Sequence, residues 1–443
     1  MQRRGAEAAV LGVDGSRLRT FVEIEAESGE LEKLLDAVPA RSVVGVQIGN
    51  SVRWPALLLA LFRRALIPLP LGGHMQRAEL AEALETCRAS TLITEQGIQD
   101  LGRARFECDE PPPDFLKLTS GTTSAPRAVR FRAAQLLADC ENICATMGIG
   151  DGDLNYGAIP FSHSYGFSNL LTPLLCRGVP LVATEDRLPR AMLDGIARTG
   201  ATVFPGMPIF YQKFAEMDAT PLPTLRLCIS AGAPLPRSVG EQFTAKFGVK
   251  IHTFYGSSEC GGIGYDATAE PYEDGFVGVP MRGVEVAHDL AEAGPIVVSG
   301  AAVGDGYFPD EDRAVLGDGR FIPGDLIRRT ERGMFLAGRT AEFINIAGRK
   351  LNPLEVEARL AECPGVKQAV VFGVRSELRG EEAVACVAGE IEREALVRFC
   401  REKLSPWQAP RDFWIVAEIP VSERGKISRR ALAEHYSSRS RGV

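Results

Sequence analysis

LKLTSGTTSAPRAVRF, from Leu116 to Phe131, is the segment from which the fold of this chain is best inferred. A short apolar strand that begins at Phe115 runs into hydroxyl and glycine residues, 119–124, and the chain leaves through Arg127. A loop of hydroxyls and backbone amides is suited to wrapping phosphate oxygens. It is not a Walker loop, because the Gly-Lys-Ser/Thr ending is missing. Taken alone, the segment would more often be an ordinary Ser/Thr turn between two strands.

Six further motifs follow this segment in a fixed order along the chain. They are PFSHSYG from Pro160, SAGAPLP from Ser230, FYGSSE from Phe254, GD at Gly324, LAGRTAEFINIAGRKLNPLEVE from Leu336 and ERGKISRRAL from Glu423. Their order and spacing resemble the acyl-adenylating (AMP-binding) superfamily, which includes acyl-CoA synthetases, aryl-CoA ligases, adenylation domains of peptide synthetases and firefly luciferase. The resemblance extends from Val43 to Leu432 and therefore covers nearly the whole chain.

The composition is that of an ordinary globular protein with more than one domain. The chain has 443 residues, of which 45% are hydrophobic and 24% charged, and a length above 300 residues predicts two domains. The formal net charge of −7 argues against nucleic acid or an anionic membrane surface as the partner.

Cysteine usage and the apolar segments indicate a cytoplasmic protein. The ten cysteines include no CxxC pair, which favours reduced, mostly buried thiols, with disulfides as the alternative. The N-terminus has no apolar core of a signal peptide. The most hydrophobic stretch, Ala56–Leu71, is interrupted by Arg63 and Arg64 before it could span a membrane, so we expect a buried helix and no membrane span.

Apolar runs separated by helix-length spacers predict an α/β fold with largely parallel sheets. The predicted strands are residues 43–48, 67–71, 181–183, 202–204, 225–230 and 250–255. From Glu342 the sequence pattern changes and predicts short strands and helices with a separate apolar core. We therefore expect a large N-terminal AMP-binding domain of layered sheets with helices (1–340) and a small mobile α+β C-terminal cap domain (341–443).

The resemblance implies that the opening segment binds the phosphates of ATP. The residues that would cradle the β- and γ-phosphates are Thr119, Ser120, Gly121, Thr122 and Thr123. Arg127 stands where the family usually has Lys, and it keeps the positive charge. Ser124 and Ala128 stand where the family usually has Gly, which makes the loop less flexible.

The resemblance also implies a magnesium ion at the motif YGSSE. Glu259 matches the family's Mg²⁺ ligand, and Thr119 is a candidate second ligand. A hydrated, oxygen-ligated cation that bridges phosphates suits such a site. The usual Thr before the Glu is Ser258 here, so the hydroxyl is retained.

Candidate residues for the adenosine group lie in four motifs. Tyr255, beside Gly256, would stack on the adenine. Asp325 matches the carboxylate that accepts the ribose hydroxyls, and Arg339 matches an arginine that reaches the ribose or a phosphate. Pro323 replaces a usual Thr, so one hydrogen bond is lost. The residues that would line the other face of the base are Ala231, Gly232, Ala233 and Pro234.

Two residues are the predicted catalytic groups. Lys426 matches the lysine that bridges the carboxylate and the α-phosphate during adenylation, for which a flexible ammonium offers three donors. His163 matches the histidine that flanks the acyl site. Glu342 matches the acidic hinge of the small domain, whose face near Ala347 and Gly348 would then admit the thiol.

The acid is expected to be fatty acyl or aryl rather than an amino acid. Amino-acid-activating relatives carry an Asp near Pro160–Ser162 to hold the substrate ammonium, and this segment has none. Gly261 and Gly262 would leave room for an extended acyl chain. We expect ATP and Mg²⁺ as cofactors and CoA as the thiol acceptor. One alternative is an acyl-AMP ligase that loads a separate acyl carrier protein. The other is a non-catalytic nucleotide-binding scaffold, which the changes at Ser124 and Ala128 would support.

Overall fold

The computed structural model describes residues 4–103, 112–119, 127–218, 220–287, 292–339, 342–346, 349–376, 380–421 and 427–440. The chain divides into two compact units. The first comprises residues 1–289, 296–323 and 330–335, and the second comprises residues 290–295, 324–329 and 336–443. The domain boundary after residue 340 remains a prediction.

The secondary structure alternates between strands and helices throughout. The strands are β1 (Ala8–Leu11), β2 (Arg17–Thr20), β3 (Val43–Gln47), β4 (Ile67–Pro70), β5 (Thr91–Thr94), β6 (Gly97–Asp100), β7 (Phe115–Thr119), β8 (Arg127–Phe131), β9 (Asn155–Gly157), β10 (Leu181–Ala183), β11 (Val203–Gly206), β12 (Leu227–Ser230), β13 (Ile251–Ser257), β14 (Gly261–Tyr265), β15 (Phe276–Pro280), β16 (Val284–Ala287), β17 (Gly294–Pro295), β18 (Val297–Gly300), β19 (Gly306–Phe308), β20 (Leu316–Gly317), β21 (Arg320–Phe321), β22 (Asp325–Thr330), β23 (Gly333–Arg339), β24 (Ile344–Ile346), β25 (Arg349–Leu351), β26 (Val366–Ser376), β27 (Gly380–Gly389) and β28 (Asp412–Val416). The helices are α1 (Phe21–Leu34), α2 (Trp54–Arg63), α3 (Arg77–Thr86), α4 (Ala133–Met147), α5 (Ser164–Gly166), α6 (Pro189–Thr199), α7 (Pro208–Glu216), α8 (Arg237–Phe247), α9 (Pro353–Ala361), α10 (Arg393–Lys403) and α11 (Arg429–Ser440), and α5 continues as π-helical turns over Phe167–Leu171 and Pro173–Arg177.

The largest sheet of the first unit runs in the order β15-β14-β13-β12-β11-β9-β10-β1-β2. Its centre, β10-β9-β11-β12-β13, is parallel, with α6, α7 and α8 as crossover connections. β11 and β12 are buried at every position, as expected of strands covered on both faces. Polar groups at the carboxyl ends of these parallel strands therefore share one edge of the sheet.

Two smaller sheets carry the N-terminal region and the opening motif. β3 lies between β4 and β5 and is parallel to both, and α2, which buries seven of its ten residues, contacts β4. β8 lies between β7 and β19 and is antiparallel to each. This second sheet places Arg127, the first residue of β8, next to β19.

The second unit is an α+β fold in which helices pack on both faces of one sheet. Its sheet runs β25-β24-β27-β26, with β28 parallel to β27. Alternate residues of β26 face opposite sides: Val371 packs with α9 and α10, while Phe372 packs with Leu432 of α11. A separate pair, β17 and β22, is antiparallel and matches Gly294 to Ile327.

The predicted fold class is confirmed, with small shifts in element boundaries. The run 181–183 is β10 as predicted, whereas the run 225–230 is ordered as a strand only from Leu227. The predicted buried helix in Ala56–Leu71 is α2, which ends at Arg63 and leads to β4.

The nine described cysteines are free, and all except Cys176 are buried. Among the described residues, every helix is too short or too polar to cross a bilayer.

Candidate active site

The opening motif is framed by the strand pair β7 and β8. Thr119 pairs with Arg127, and its hydroxyl donates a hydrogen bond of 3.0 Å to the Arg127 carbonyl oxygen. Its side chain is therefore fixed at the strand end, with oxygen lone pairs left for a ligand. The predicted phosphate residues Ser120, Gly121, Thr122 and Thr123 lie outside the described residues, as does Ser124.

Glu259 is held by one hydrogen bond on each carboxylate oxygen. Ser257 Oγ donates to Oε2 at 2.7 Å, and the Tyr307 hydroxyl donates to Oε1 at 3.1 Å. The Glu259 backbone N–H donates in turn to Ser257 Oγ at 3.1 Å. The carboxylate is half-buried and oriented, and each of its oxygens retains a lone pair for a cation.

Tyr307 connects Glu259 to the opening motif. It lies on β19 opposite Val129, and the guanidinium carbon of Arg127 stands 3.7 Å from the centroid of its ring. Burial raises the pKa of Tyr307, so the phenol stays protonated and can donate to Glu259. The sequence analysis missed Tyr307, because its separation of 48 positions from Glu259 follows no motif spacing.

The donor set around Glu259 fits Mg²⁺. The described residues contain no cluster of three or more His, Cys, Asp or Glu that could hold a metal by themselves. One carboxylate with hydroxyl neighbours is the arrangement that Mg²⁺ uses when phosphates and water complete its shell. Glu259 and Thr119 are therefore compatible with the predicted metal role.

The segment around His163 is joined to the Glu259 loop. His163 Nδ1 accepts a hydrogen bond from the Tyr165 backbone N–H at 3.2 Å and caps α5. Ser164 Oγ donates to Ser258 Oγ at 3.0 Å. These bonds bring the two predicted segments into one cluster of the first unit.

The predicted adenine-binding residues lie at one edge of the large sheet. Ser230, the last residue of β12, pairs with Thr253 of β13, so the segment that follows β12 adjoins Tyr255. Tyr255 is half-buried, and Gly256 is exposed. The small residues at this edge are Ala231, which is buried, and Gly232, Ala233 and Pro234, which are exposed.

In the second unit, Asp325 and Arg339 form an ion pair. Arg339 Nε donates to Asp325 Oδ1 at 2.6 Å, and the Asp325 side chain is buried while that of Arg339 is about half exposed. The pair orients the carboxylate that the sequence assigns to the ribose.

Arg429 anchors the chain immediately after the predicted catalytic lysine. Its guanidinium donates to Glu342, to both oxygens of Glu357 (2.8 and 3.0 Å) and to the Val371 carbonyl oxygen (3.0 Å). Burial raises the pKa of Glu357, against the opposing effect of Arg429. Lys426 itself lies outside the described residues, as do Ala347 and Gly348.

The second unit also contains a cavity of about 380 Å³. The Arg349 guanidinium carbon lies 5.5 Å from the ring of Trp407, one of its lining residues. Glu382 and Arg411 form an ion pair of 3.1 Å at the wall. The polar and aromatic lining residues are Glu382, Arg401, Trp407, Arg411 and Phe413.

Two family models match the chain. The model described as AMP-binding enzyme matches residues 107–308, and the model described as AMP-binding enzyme C-terminal domain matches residues 355–426. The first contains Thr119, His163 and Glu259, and the second contains Lys426. Both predicted catalytic residues therefore lie within matched regions.

Curated relatives and a solved structure show the same likeness. The chain is 31% identical to a long-chain-fatty-acid–CoA ligase of Bacillus subtilis over 72% of this chain and 61% of the relative's own length. It is 29% identical to a sulfoacetate–CoA ligase of Cupriavidus necator over 96% of this chain and 94% of the relative. The crystal structure of ATP-bound MatB from Rhodopseudomonas palustris superimposes with a TM-score of 0.87 at 22% identity, covering 98% of this chain and 97% of that chain. The last likeness supports the fold alone.

Proposed function

The chain belongs to the family of AMP-binding enzymes, in which it is an acid–thiol ligase, and we propose that it activates a carboxylic acid with ATP and passes the acyl group to CoA. In the first step a carboxylate oxygen attacks the α-phosphorus, which releases pyrophosphate and forms acyl-AMP. In the second step the thiol attacks the acyl carbon, and AMP leaves.

The observation that carries this proposal is the arrangement of Arg127, Tyr307 and Glu259. The first step brings two anions together, so it needs positive charge and oriented groups beside the phosphates. Arg127 supplies a guanidinium that packs on the Tyr307 ring, and Glu259 supplies an oriented carboxylate. Bound there, Mg²⁺ would neutralise phosphate charge, with Glu259 and Thr119 as its protein ligands.

The remaining roles follow the family resemblance. Tyr255 and the residues after β12 would hold the adenine, while Asp325, oriented by Arg339, would accept the ribose hydroxyls. His163 would flank the acid. Lys426 would bridge the carboxylate and the α-phosphate in the first step, where the charge of two anions must be offset.

We propose a fatty acyl or aryl acid rather than an amino acid. Phe161 is buried, and the segment Pro160–Ser162 carries no carboxylate that could pair with a substrate ammonium. Burying an unpaired ammonium beside this segment would cost several kcal/mol, about 2–7 kcal/mol even for a neutral polar group. An acid without an α-amino group avoids that cost.

CoA is the proposed acceptor because the cavity of the second unit suits a nucleotide. Trp407 offers an aromatic face for a base, and Arg401 and Arg411 are guanidinium groups that match phosphate geometry. An acyl carrier protein has no base to place there. We also propose the reducing cytoplasm as the compartment, because the described cysteines are free.

The test is incubation with ATP, Mg²⁺ and a panel of fatty, aryl and amino acids, followed by measurement of pyrophosphate and then of thioester after addition of CoA. Acid-dependent pyrophosphate release with acyl-CoA as the product supports the proposal. No pyrophosphate with any acid would favour a scaffold, and thioester only with carrier protein would replace CoA as the acceptor.

Two variants test whether CoA binds at the cavity of the second unit. Trp407→Ala and Arg411→Ala should raise KM for CoA and leave acid-dependent pyrophosphate release unchanged. Arg398→Ala is the matched control, since Arg398 is an exposed residue of α10 outside the cavity lining. An unaltered KM for CoA in both variants would place CoA elsewhere.

A further inference from the structure

Three buried polar side chains of the first unit form a chain of hydrogen bonds. Lys117 Nζ donates to Ser168 Oγ at 3.4 Å, and Ser168 Oγ donates to Asp139 Oδ2 at 2.6 Å. Lys117 is 4% exposed and Asp139 is 3% exposed. The ammonium also lies 4.6 Å from the centroid of the Phe131 ring. We call Lys117, Ser168 and Asp139 the buried bridge.

The far end of the buried bridge occupies the space beside Gly261 and Gly262. Asp139 Oδ1 accepts a hydrogen bond of 3.0 Å from the Gly262 backbone N–H. A Cβ on Gly261, whose φ is +72°, would lie 2.0 Å from Asp139 Oδ1, and one on Gly262 would lie 2.5 Å from Met281 Sδ. The expectation that these glycines leave room for an extended acyl chain is therefore wrong, because their neighbours fill that room.

The buried bridge connects the two segments that the sequence assigns to the acid. Ser168 lies five residues after His163, and Gly262 lies three residues after Glu259. The hydrogen bond between Ser164 and Ser258 joins the same two segments nearer the reacting groups. Asp139 therefore contacts each segment at a residue that follows the predicted functional residue, Ser168 after His163 and Gly262 after Glu259.

We propose that Asp139, held by Ser168 and balanced by Lys117, closes the acid pocket and restricts it to compact acids, either short-chain acyl or single-ring aryl. The inference rests on the proposed function and names its substrate class. A longer apolar chain would have to displace a carboxylate that holds the Gly262 N–H, and this would leave that donor without its acceptor and the buried Lys117 ammonium without a nearby negative charge.

The buried bridge contains one cationic group, Lys117, and one anionic group, Asp139, and any variant must keep their charges balanced. Burial lowers the pKa of Lys117, and the nearby Asp139 carboxylate opposes that effect. Removal of Asp139 alone would leave a buried ammonium uncompensated and destabilise the fold. Both charges must therefore be removed together.

The experiment compares Lys117→Met/Asp139→Ala with Lys117→Met/Asp139→Asn. Both double variants lack the two charges, but only the Ala variant opens space beside Gly261. Each is assayed by pyrophosphate release with straight-chain acids from acetate to decanoate and with benzoate, and melting temperatures verify folding. Asp139→Glu, which keeps the charge pair and lengthens the side chain, is a further variant should the doubles fail to fold.

The wild-type enzyme should prefer short-chain acids or benzoate to decanoate. The Ala double variant should gain about tenfold in kcat/KM for acids one or two methylenes longer, relative to the Asn double variant, because one methylene in a pocket is worth about that factor. Asp139→Glu should move the optimum toward shorter acids.

Two results would overturn the inference. Preference of the wild type for long-chain acids would refute it while leaving the proposed function intact, and so would identical chain-length profiles for the two double variants. Absence of pyrophosphate release with every acid would instead refute the proposed function.

Discussion

The Tyr307 hydroxyl donates a hydrogen bond of 3.1 Å to Oε1 of Glu259, and the guanidinium carbon of Arg127 lies 3.7 Å from the centroid of the Tyr307 ring. One aromatic side chain therefore sets the positions of an anionic and a cationic group. Because β19 pairs with β8, the position of Tyr307 depends on the strand that carries Arg127. The first two predictions separate these two roles.

Tyr307→Phe keeps the ring under Arg127 and removes the hydrogen bond to Glu259. We expect the Mg²⁺ concentration for half-maximal activity to rise about fivefold, the effect of losing one hydrogen bond of ~1 kcal/mol, with little change in KM for ATP. Direct Mn²⁺ binding in the presence of ATP, followed by electron paramagnetic resonance, gives a readout independent of turnover. Tyr272→Phe, which removes a buried phenol that accepts from Gly275, is the control. An unchanged metal titration would contradict the role given to Tyr307.

Arg127→Lys keeps the charge but loses the planar group that lies over Tyr307. We expect KM for ATP to rise by about threefold to tenfold, because a stacked guanidinium is worth ~1 kcal/mol and positions its donors. The Mg²⁺ requirement should stay near that of the wild type. Arg190→Lys, in an exposed ion pair with Asp194, is the control. Equal ATP kinetics in the two variants would show that lysine serves as well as arginine at position 127.

The sequence predicted the fold and the parts of the site that depend on local pattern. Apolar runs of strand length located β3, β10 and β12, because strands covered on both faces need continuous apolar residues. The motif around Glu259 was recognisable because it is local, and its neighbour in sequence, Ser257, also bonds its carboxylate.

The rest of the site depends on pairing between distant segments. Tyr307 meets Glu259 only because β19 pairs with β8, and Asp139 meets Gly262 only because α4 packs on β14. A glycine in sequence also does not distinguish open space from space filled by a neighbour. Gly261 belongs to the second kind, because a Cβ there would lie 2.0 Å from Asp139 Oδ1.

Arg429→Met tests the anchoring cluster of the second unit. The change leaves the partly buried carboxylates of Glu342 and Glu357 without their shared cation, and leaving such groups without their partner costs about 1–3 kcal/mol. Arg430→Met, in an exposed pair with Glu434, should cost about 0–1 kcal/mol. Thermal unfolding of the two variants measures the difference. Similar melting temperatures would mean that Arg429 stabilises little.

Lys426→Ala should abolish acyl-AMP formation and retain thioester formation from supplied acyl-AMP. The ammonium is needed where the carboxylate meets the α-phosphate, and the second step contains only one of these anions. ATP–pyrophosphate exchange measures the first step, and acyl-CoA formed from synthetic acyl-AMP measures the second. Lys403→Ala, in the exposed last turn of α10, is the control. Comparable losses in both steps would refute the assignment.

The central claim is that a carboxylate oxygen of the substrate attacks the α-phosphorus of ATP. The most direct test uses the acid that gives the most pyrophosphate, labelled with ¹⁸O in both carboxylate oxygens, together with ATP, Mg²⁺ and CoA. Attack by that oxygen, followed by cleavage of the acyl–oxygen bond by the thiol, must leave one ¹⁸O atom in AMP. Mass spectrometry should find that label in AMP and one ¹⁸O atom in the acyl-CoA. Unlabelled AMP, or ADP as the nucleotide product, would contradict the account.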